Sequence, residues 1–143
     1  MESNQVQVVR DYFKYCVDGK QTDRVSEYYH ATNLIIHRPD CDEPISDLVT
    51  FELKLRECVT DRYESIETSF QKIVESGNEV VVFLTHVAKN SNTWREFDVS
   101  GKDVTWTALT YFRFDESGKV VEEIVERNEL FMAFQVGLEL TKR

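Results

Sequence analysis

Histidine is the side chain best placed to move a proton at neutral pH, because its ordinary pKa lies near ~6.5. Two of the chain's histidines, His37 and His86, sit in apolar stretches that read as strands, Asn33–Arg38 and Glu79–Lys89. Either could bring an imidazole to a pocket; the ordinary alternative is a hydrogen-bonded core or edge residue. Carboxylates gather at Glu122, Glu123 and Glu126, although acidic strands are common in a chain of net charge −9. The run His37-Arg38-Pro39-Asp40-Cys41-Asp42-Glu43 holds metal-ligand types. Its spacing matches no zinc or calcium loop, and Arg38 repels a cation, so it reads as a solvated loop. No metal and no cofactor are expected. Gly77, Gly101 and Gly118 are isolated turn glycines, which leaves no phosphate cradle. No G-x-S-x-G motif or Cys/His nucleophile pair is present. Cys16, Cys41 and Cys58 are widely spaced, without a CxxC, and predict reduced thiols in a cytoplasmic protein.

The elements that must position these residues follow from periodicity. Val6, Val9, Phe13, Cys16 and Val17 recur at helical spacing, predicting a helix from Asn4 to Asp18 that Gly19 stops. Thr22 or Asp23 can cap a short second helix carrying Val25, Tyr28 and Tyr29. Ser46 or Asp47 can cap a third, with Leu48, Phe51, Leu55 and Cys58 on one stripe. Beyond Asp61 the pattern alternates instead. Turn signals at Ser76-Gly77-Asn78, Asn90-Ser91-Asn92, Ser100-Gly101-Lys102 and Asp115–Gly118 separate strands, including a short one near Thr93–Val99. The tail Leu130–Leu140 returns to helical spacing. Helices followed by hairpin-connected strands predict an α+β domain, residues 1–143, with helices on one face of a curved, mostly antiparallel sheet.

Charge and composition exclude other classes. Lys and Arg number 17 against 26 Asp and Glu, with no basic cluster, which argues against nucleic acid and anionic membrane surfaces as partners. No apolar run approaches the ~20 residues of a membrane span. The N-terminal MESNQVQVVRDYFKYC lacks the pattern of a signal peptide.

The order of the C-terminal pieces resembles SnoaL-like polyketide cyclases. These pieces are Gly101-Lys102, the aromatic strand end Tyr111-Phe112-Arg113-Phe114, Gly118-Lys119 with Glu122, and the closing Gln135-Val136-Gly137. The earlier TNLIIHRP and its preceding helices look like the first half of the same family. It belongs to the cone-shaped superfamily that also contains nuclear transport factor 2, ketosteroid isomerase and limonene epoxide hydrolase. The resemblance implies a mostly apolar cavity between the bent sheet and the helices. It also implies a last strand carrying a Trp and, four residues later, an Asp that serves as acid/base in a ring-closing aldol step. Counted back from Gln135-Val136-Gly137, those positions hold Ile124 and Asn128. An amide cannot trade a proton at ordinary pH, so the cyclase chemistry does not carry over directly.

Strand alternation then groups Glu122, Ile124, Glu126 and Asn128 on the implied cavity side, with Val121, Val125 and Arg127 opposite. Two readings stay open. In the first, the protein is an acid/base isomerase, cyclase or hydratase for a compact apolar molecule. Glu126 is the base, His37 its partner, and Asn128 a donor to a carbonyl or enolate oxygen, with Ile124, His86 and Trp106 lining the ligand. In the second, it is a non-catalytic ligand-binding or dimeric interaction domain. In either case Val121 and Val125 are expected at the centre of a homodimer contact on the outer sheet face. Asn128→Asp is expected to repel Glu126 and to destabilise the protein at neutral pH.

Overall fold

Ser3 starts the first helix, its hydroxyl accepting from the Val6 N–H at 3.2 Å. The computed structural model, which describes Met1–Arg143, continues α1 (Asn4–Asp11) directly into a π-helical segment, Tyr12–Asp18. The Gly19 N–H donates to the carbonyl of Lys14, five residues back, at 2.9 Å. The predicted span Asn4–Asp18 is therefore helical throughout, with a wider last part. Gly19 closes it for a steric reason: a Cβ there would lie 2.7 Å from the Tyr15 carbonyl oxygen. A 3-10 turn follows at Thr22–Glu27, with no side-chain cap, and Thr22 itself is buried. After β1 (Ile35–His37), Asp47 caps α2 (Leu48–Arg56) by accepting from the Thr50 N–H at 2.7 Å. A second π-helical turn, Glu57–Asp61, extends it. Phe51, Leu55 and Cys58 are buried on the predicted stripe, Val59 is buried next to it, and Leu48 packs half-buried at its start.

Four strands complete the sheet: β2 (Tyr63–Ser76), β3 (Glu79–Trp94), β4 (Phe97–Phe114) and β5 (Val120–Arg127). The order is β1-β5-β4-β3-β2, antiparallel except for β1 against β5. Alternation places Val80, Val82, Leu84, His86 and Ala88 of β3 on the helix-covered face, with Trp106, Ala108, Thr110 and Phe112 of β4 beside them. Tyr12 and Phe13 bring their rings against Phe112 at 6.4 and 6.1 Å. Register shifts in β2, β3 and at the end of β4 bend the sheet around this core.

The β3–β4 hairpin departs from the sequence reading. Asn90-Ser91-Asn92 does not break the strand, and Ser100-Gly101-Lys102 is not the turn. The tip is Arg95-Glu96, both at positive φ (46° and 72°), between the paired residues Trp94 and Phe97. Two-residue hairpins of this kind favour Asn-Gly, so Arg-Glu gave no signal. Gly101, at φ 82°, lies within β4 where the register with β3 shifts. At the other end, α3 (Glu129–Gln135) begins one residue after β5 finishes. No helix is long and apolar enough to cross a membrane.

Candidate active site

Where the helices stand over the sheet they leave a cavity of about 70 Å³. Its roof is Tyr12, Phe13 and Val17 of the first π-helical segment, with Leu55, Cys58 and Val59 from α2 and the turn beyond it. Its floor is Ile66, His86, Trp106, Ala108 and Thr110, and β5 contributes Glu123, Val125 and Arg127. Arg38, the residue after β1, completes one end.

The sheet register decides which β5 residues face inward. Glu123 pairs with Phe112 and Ile36, both fully buried, so its side chain points into the core with theirs. The predicted parity of β5 is therefore reversed. Glu126 is exposed on the outer face and does not line the cavity. Ile124 lies on that same outer face, flanked by His37 of β1 and Tyr111 of β4. His37 consequently points away from the cavity as well. Asn128 is outside the strand: it is the exposed N-cap of α3, and its side-chain oxygen accepts from the Phe131 N–H at 3.3 Å. Val121 is buried and Val125 lines the cavity, so neither forms an outer face. Of the six predicted site residues the structure brings together His86 and Trp106, whose rings lie 5.1 Å apart on the cavity floor.

In place of Glu126 stands Glu123, 3% exposed. Tyr29, itself buried, donates its hydroxyl to Glu123 Oε1, and the Tyr12 ring packs 5.1 Å from that of Tyr29. Burial pushes the Glu123 carboxyl up to about 7, the Tyr29 hydrogen bond and the charges of Arg38 and Arg127 offsetting only part of the effect. A carboxyl that titrates near neutrality can both take and give a proton. Burial and the nearby Glu123 carboxylate raise the two tyrosines well above the ordinary phenol value, so both remain protonated donors.

Arg38 and Arg127 have side chains only 7% and 9% exposed. Asp40 joins them: it accepts from Arg38 Nε and Nη2, both at 3.2 Å, and from Arg127 Nη2 at 3.0 Å. Burial alone would raise Asp40, but the two guanidinium groups outweigh it and hold the carboxyl down at about 2. Arg127 Nε has no hydrogen-bond partner and lies 3.7 Å from Glu129. Trp106 Nε1 is also buried without an acceptor. Leaving such a donor unpaired costs about 1–3 kcal/mol, and both residues line the cavity. His86 is held neutral: burial, and then Arg127, push its pKa down to about 3. The three cysteines are free, and no group of acidic, His or Cys side chains is arranged to hold a metal.

This architecture is that of the nuclear transport factor 2-like cone. TsrD from Streptomyces laurentii superposes with a TM-score of 0.81 at 14% identity, covering 97% of this chain and 99% of that one. A protein of Shewanella denitrificans, provisionally named a SnoaL-like polyketide cyclase, gives 0.81 at 13% identity over 94% and 98%. An LEH-like epoxide hydrolase of M. tuberculosis gives 0.70 at 14% over 93% and 89%. No family model matches the sequence, and no curated protein matches it. At such identities the shared property is the fold.

Proposed function

We propose that the chain is a small-molecule enzyme that works by acid/base catalysis, of isomerase, cyclase or hydratase type, with Glu123 as its proton-transfer group. One observation carries this reading: a fully buried carboxyl, poised near neutrality, faces a cavity that is otherwise largely apolar. Tyr12 and Arg38 stand beside it as candidate donors to an oxygen that gains charge when a neighbouring carbon loses its proton. The fold supports the class, since polyketide cyclases and an epoxide hydrolase are named among proteins that share it. The size of the cavity favours a compact substrate.

The test is proton exchange at carbon. A panel of small ketones is incubated with protein in deuterated buffer, and α-deuteration is followed by NMR. Exchange by wild type that rises with pH through about 7 and vanishes in Glu123→Gln is the expected result. Probes that bind without exchanging favour a second reading, a non-catalytic binding domain. That reading draws on one observation: Glu123 Oε1 is already held by Tyr29.

We further propose a homodimer through the outer sheet face, corrected from Val121 and Val125 to the residues that occupy that face. The row Lys72, Phe83, Leu109, Glu126 runs across four paired strands, and Val81, Tyr111 and Ile124 lie beside it. Leu109 is 53% exposed. A two-fold contact sets such a row against its reversed copy, apolar centre on apolar centre and Lys72 near the partner chain's Glu126. Sedimentation of wild type and Leu109→Lys checks it: a dimer for the first, a monomer for the second.

A further inference from the structure

Asp18, the last residue of the first π-helical segment, holds Thr68 twice. Its carboxylate accepts from the Thr68 backbone N–H at 2.8 Å and from the Thr68 hydroxyl at 2.6 Å. That hydroxyl has one proton, and the carboxylate takes it. Thr68 Oγ1 therefore presents a lone pair to His86 Nδ1, 2.8 Å away, and Nδ1 must carry the imidazole's proton. A neutral imidazole has a single N–H, so Nε2 is an acceptor, and no protein donor reaches it. Across the ladder from His86 sits Trp106, whose Nε1–H can only donate and is buried without a partner. One acceptor and one donor thus stand side by side on the cavity floor, at the end opposite Glu123.

We propose that His86 and Trp106 form a subsite for the hydroxyl group of a small alcohol or phenol. The hydroxyl donates to His86 Nε2 and accepts from Trp106 Nε1, which satisfies both. Among hydroxyl, ketone, carboxylate and hydrocarbon, only the hydroxyl does so. A ketone oxygen pairs with Trp106 and leaves Nε2 bare, a carboxylate sets its lone pairs against Nε2, and a hydrocarbon meets neither. The inference rests on the reading of the cavity as a small-molecule site and names the functional group its ligand carries. Asp18 and Thr68 act as positioning residues, through the tautomer they impose.

Binding of cyclohexanol, cyclohexanone and methylcyclohexane, measured by NMR titration, separates these cases. Wild type is expected to bind cyclohexanol about tenfold more tightly than the other two. Trp106→Phe is expected to lose that preference and still bind methylcyclohexane. Thr68→Val, at a half-exposed strand position, frees Nδ1 so that the proton can move to Nε2. The subsite then offers two donors, and cyclohexanone should overtake cyclohexanol. The nitrogen spectrum of the unliganded protein gives an independent readout, with the proton expected on His86 Nδ1. A proton found on Nε2 overturns the proposal. Cyclohexanol binding no more tightly than methylcyclohexane overturns it too, while leaving the cavity reading intact. Failure of all three probes to bind overturns both.

Discussion

Replacing Glu123 with Gln removes a titrating carboxyl while preserving its shape, and the consequence for stability can be worked out in advance. In the folded protein the group titrates near 7, against 4.5 when unperturbed. Between those values the folded state binds more protons than the unfolded chain, so wild-type stability must fall as pH rises. A shift of about 2.5 pH units corresponds to about 3.4 kcal/mol, complete only above the folded pKa. At pH 5 about 0.8 kcal/mol of that penalty is present and at pH 8 about 3.3, leaving about 2.5 kcal/mol between them. Glu123→Gln carries no such penalty. Its stability relative to wild type should therefore improve by about 2.5 kcal/mol from pH 5 to pH 8, or about 1 M in urea midpoint for a slope of ~2 kcal/mol/M. Matched urea melts followed by tryptophan fluorescence measure this, and every other titrating group cancels in the difference. A wild-type-to-variant difference that is flat with pH, or that grows towards acid, would refute a buried, neutral-poised Glu123.

Three further outcomes are expected. Asp40→Asn leaves Arg38 and Arg127 buried with less compensation and should cost about 3–5 kcal/mol in a denaturant melt. Because Asp40 titrates near 2 when folded, about 2 kcal/mol of that difference should disappear as pH falls from 4 to 2. Asn128→Ala should cost about 1 kcal/mol through the lost cap, whereas Asn128→Asp should stay within a few tenths of wild type at all pH values above 5, contrary to the sequence expectation. Gly19→Ala should cost about 1–3 kcal/mol, because its methyl meets the Tyr15 carbonyl oxygen and backbone cannot step aside cheaply. Thermal unfolding at one fixed scan rate reads it.

The helices, the strands away from the β3–β4 tip and the α+β arrangement were legible because their signals are local: capping at Asp47, the 3.6-residue recurrence in α1, and alternation along most of β3. The short strand expected near Thr93–Val99 is instead the hairpin tip joining β3 to β4. The face of β5 was not. In Val-Val-Glu-Glu-Ile-Val-Glu-Arg each face carries apolar and charged residues alike, so alternation cannot choose between them. Anchoring the choice on Asn128 failed because that residue belongs to the next helix. Its amide followed by Glu129 and an apolar run is an N-cap signal, and beginning the helix at Leu130 passed it over. His86 was found through its place in a regular strand. The link from Asp18 to His86 spans 68 positions and has no local trace at all.

The π-helical segment has a consequence for how such a site can arise. A π turn amounts to one residue inserted into an α-helix, and it rotates everything downstream by about 100°. Val17 reaches the cavity roof and Asp18 reaches Thr68 only because Tyr12–Asp18 is wound this way. Deleting Lys14, which is exposed, would restore an ordinary helix and swing the Asp18 carboxylate off the strand, with the core residues before it left in place. The tautomer of His86 is therefore controlled by a single-residue length change on the protein's surface. Evolution can gain or lose such a control in one insertion event, with no substitution at Asp18, Thr68, His86 or Trp106.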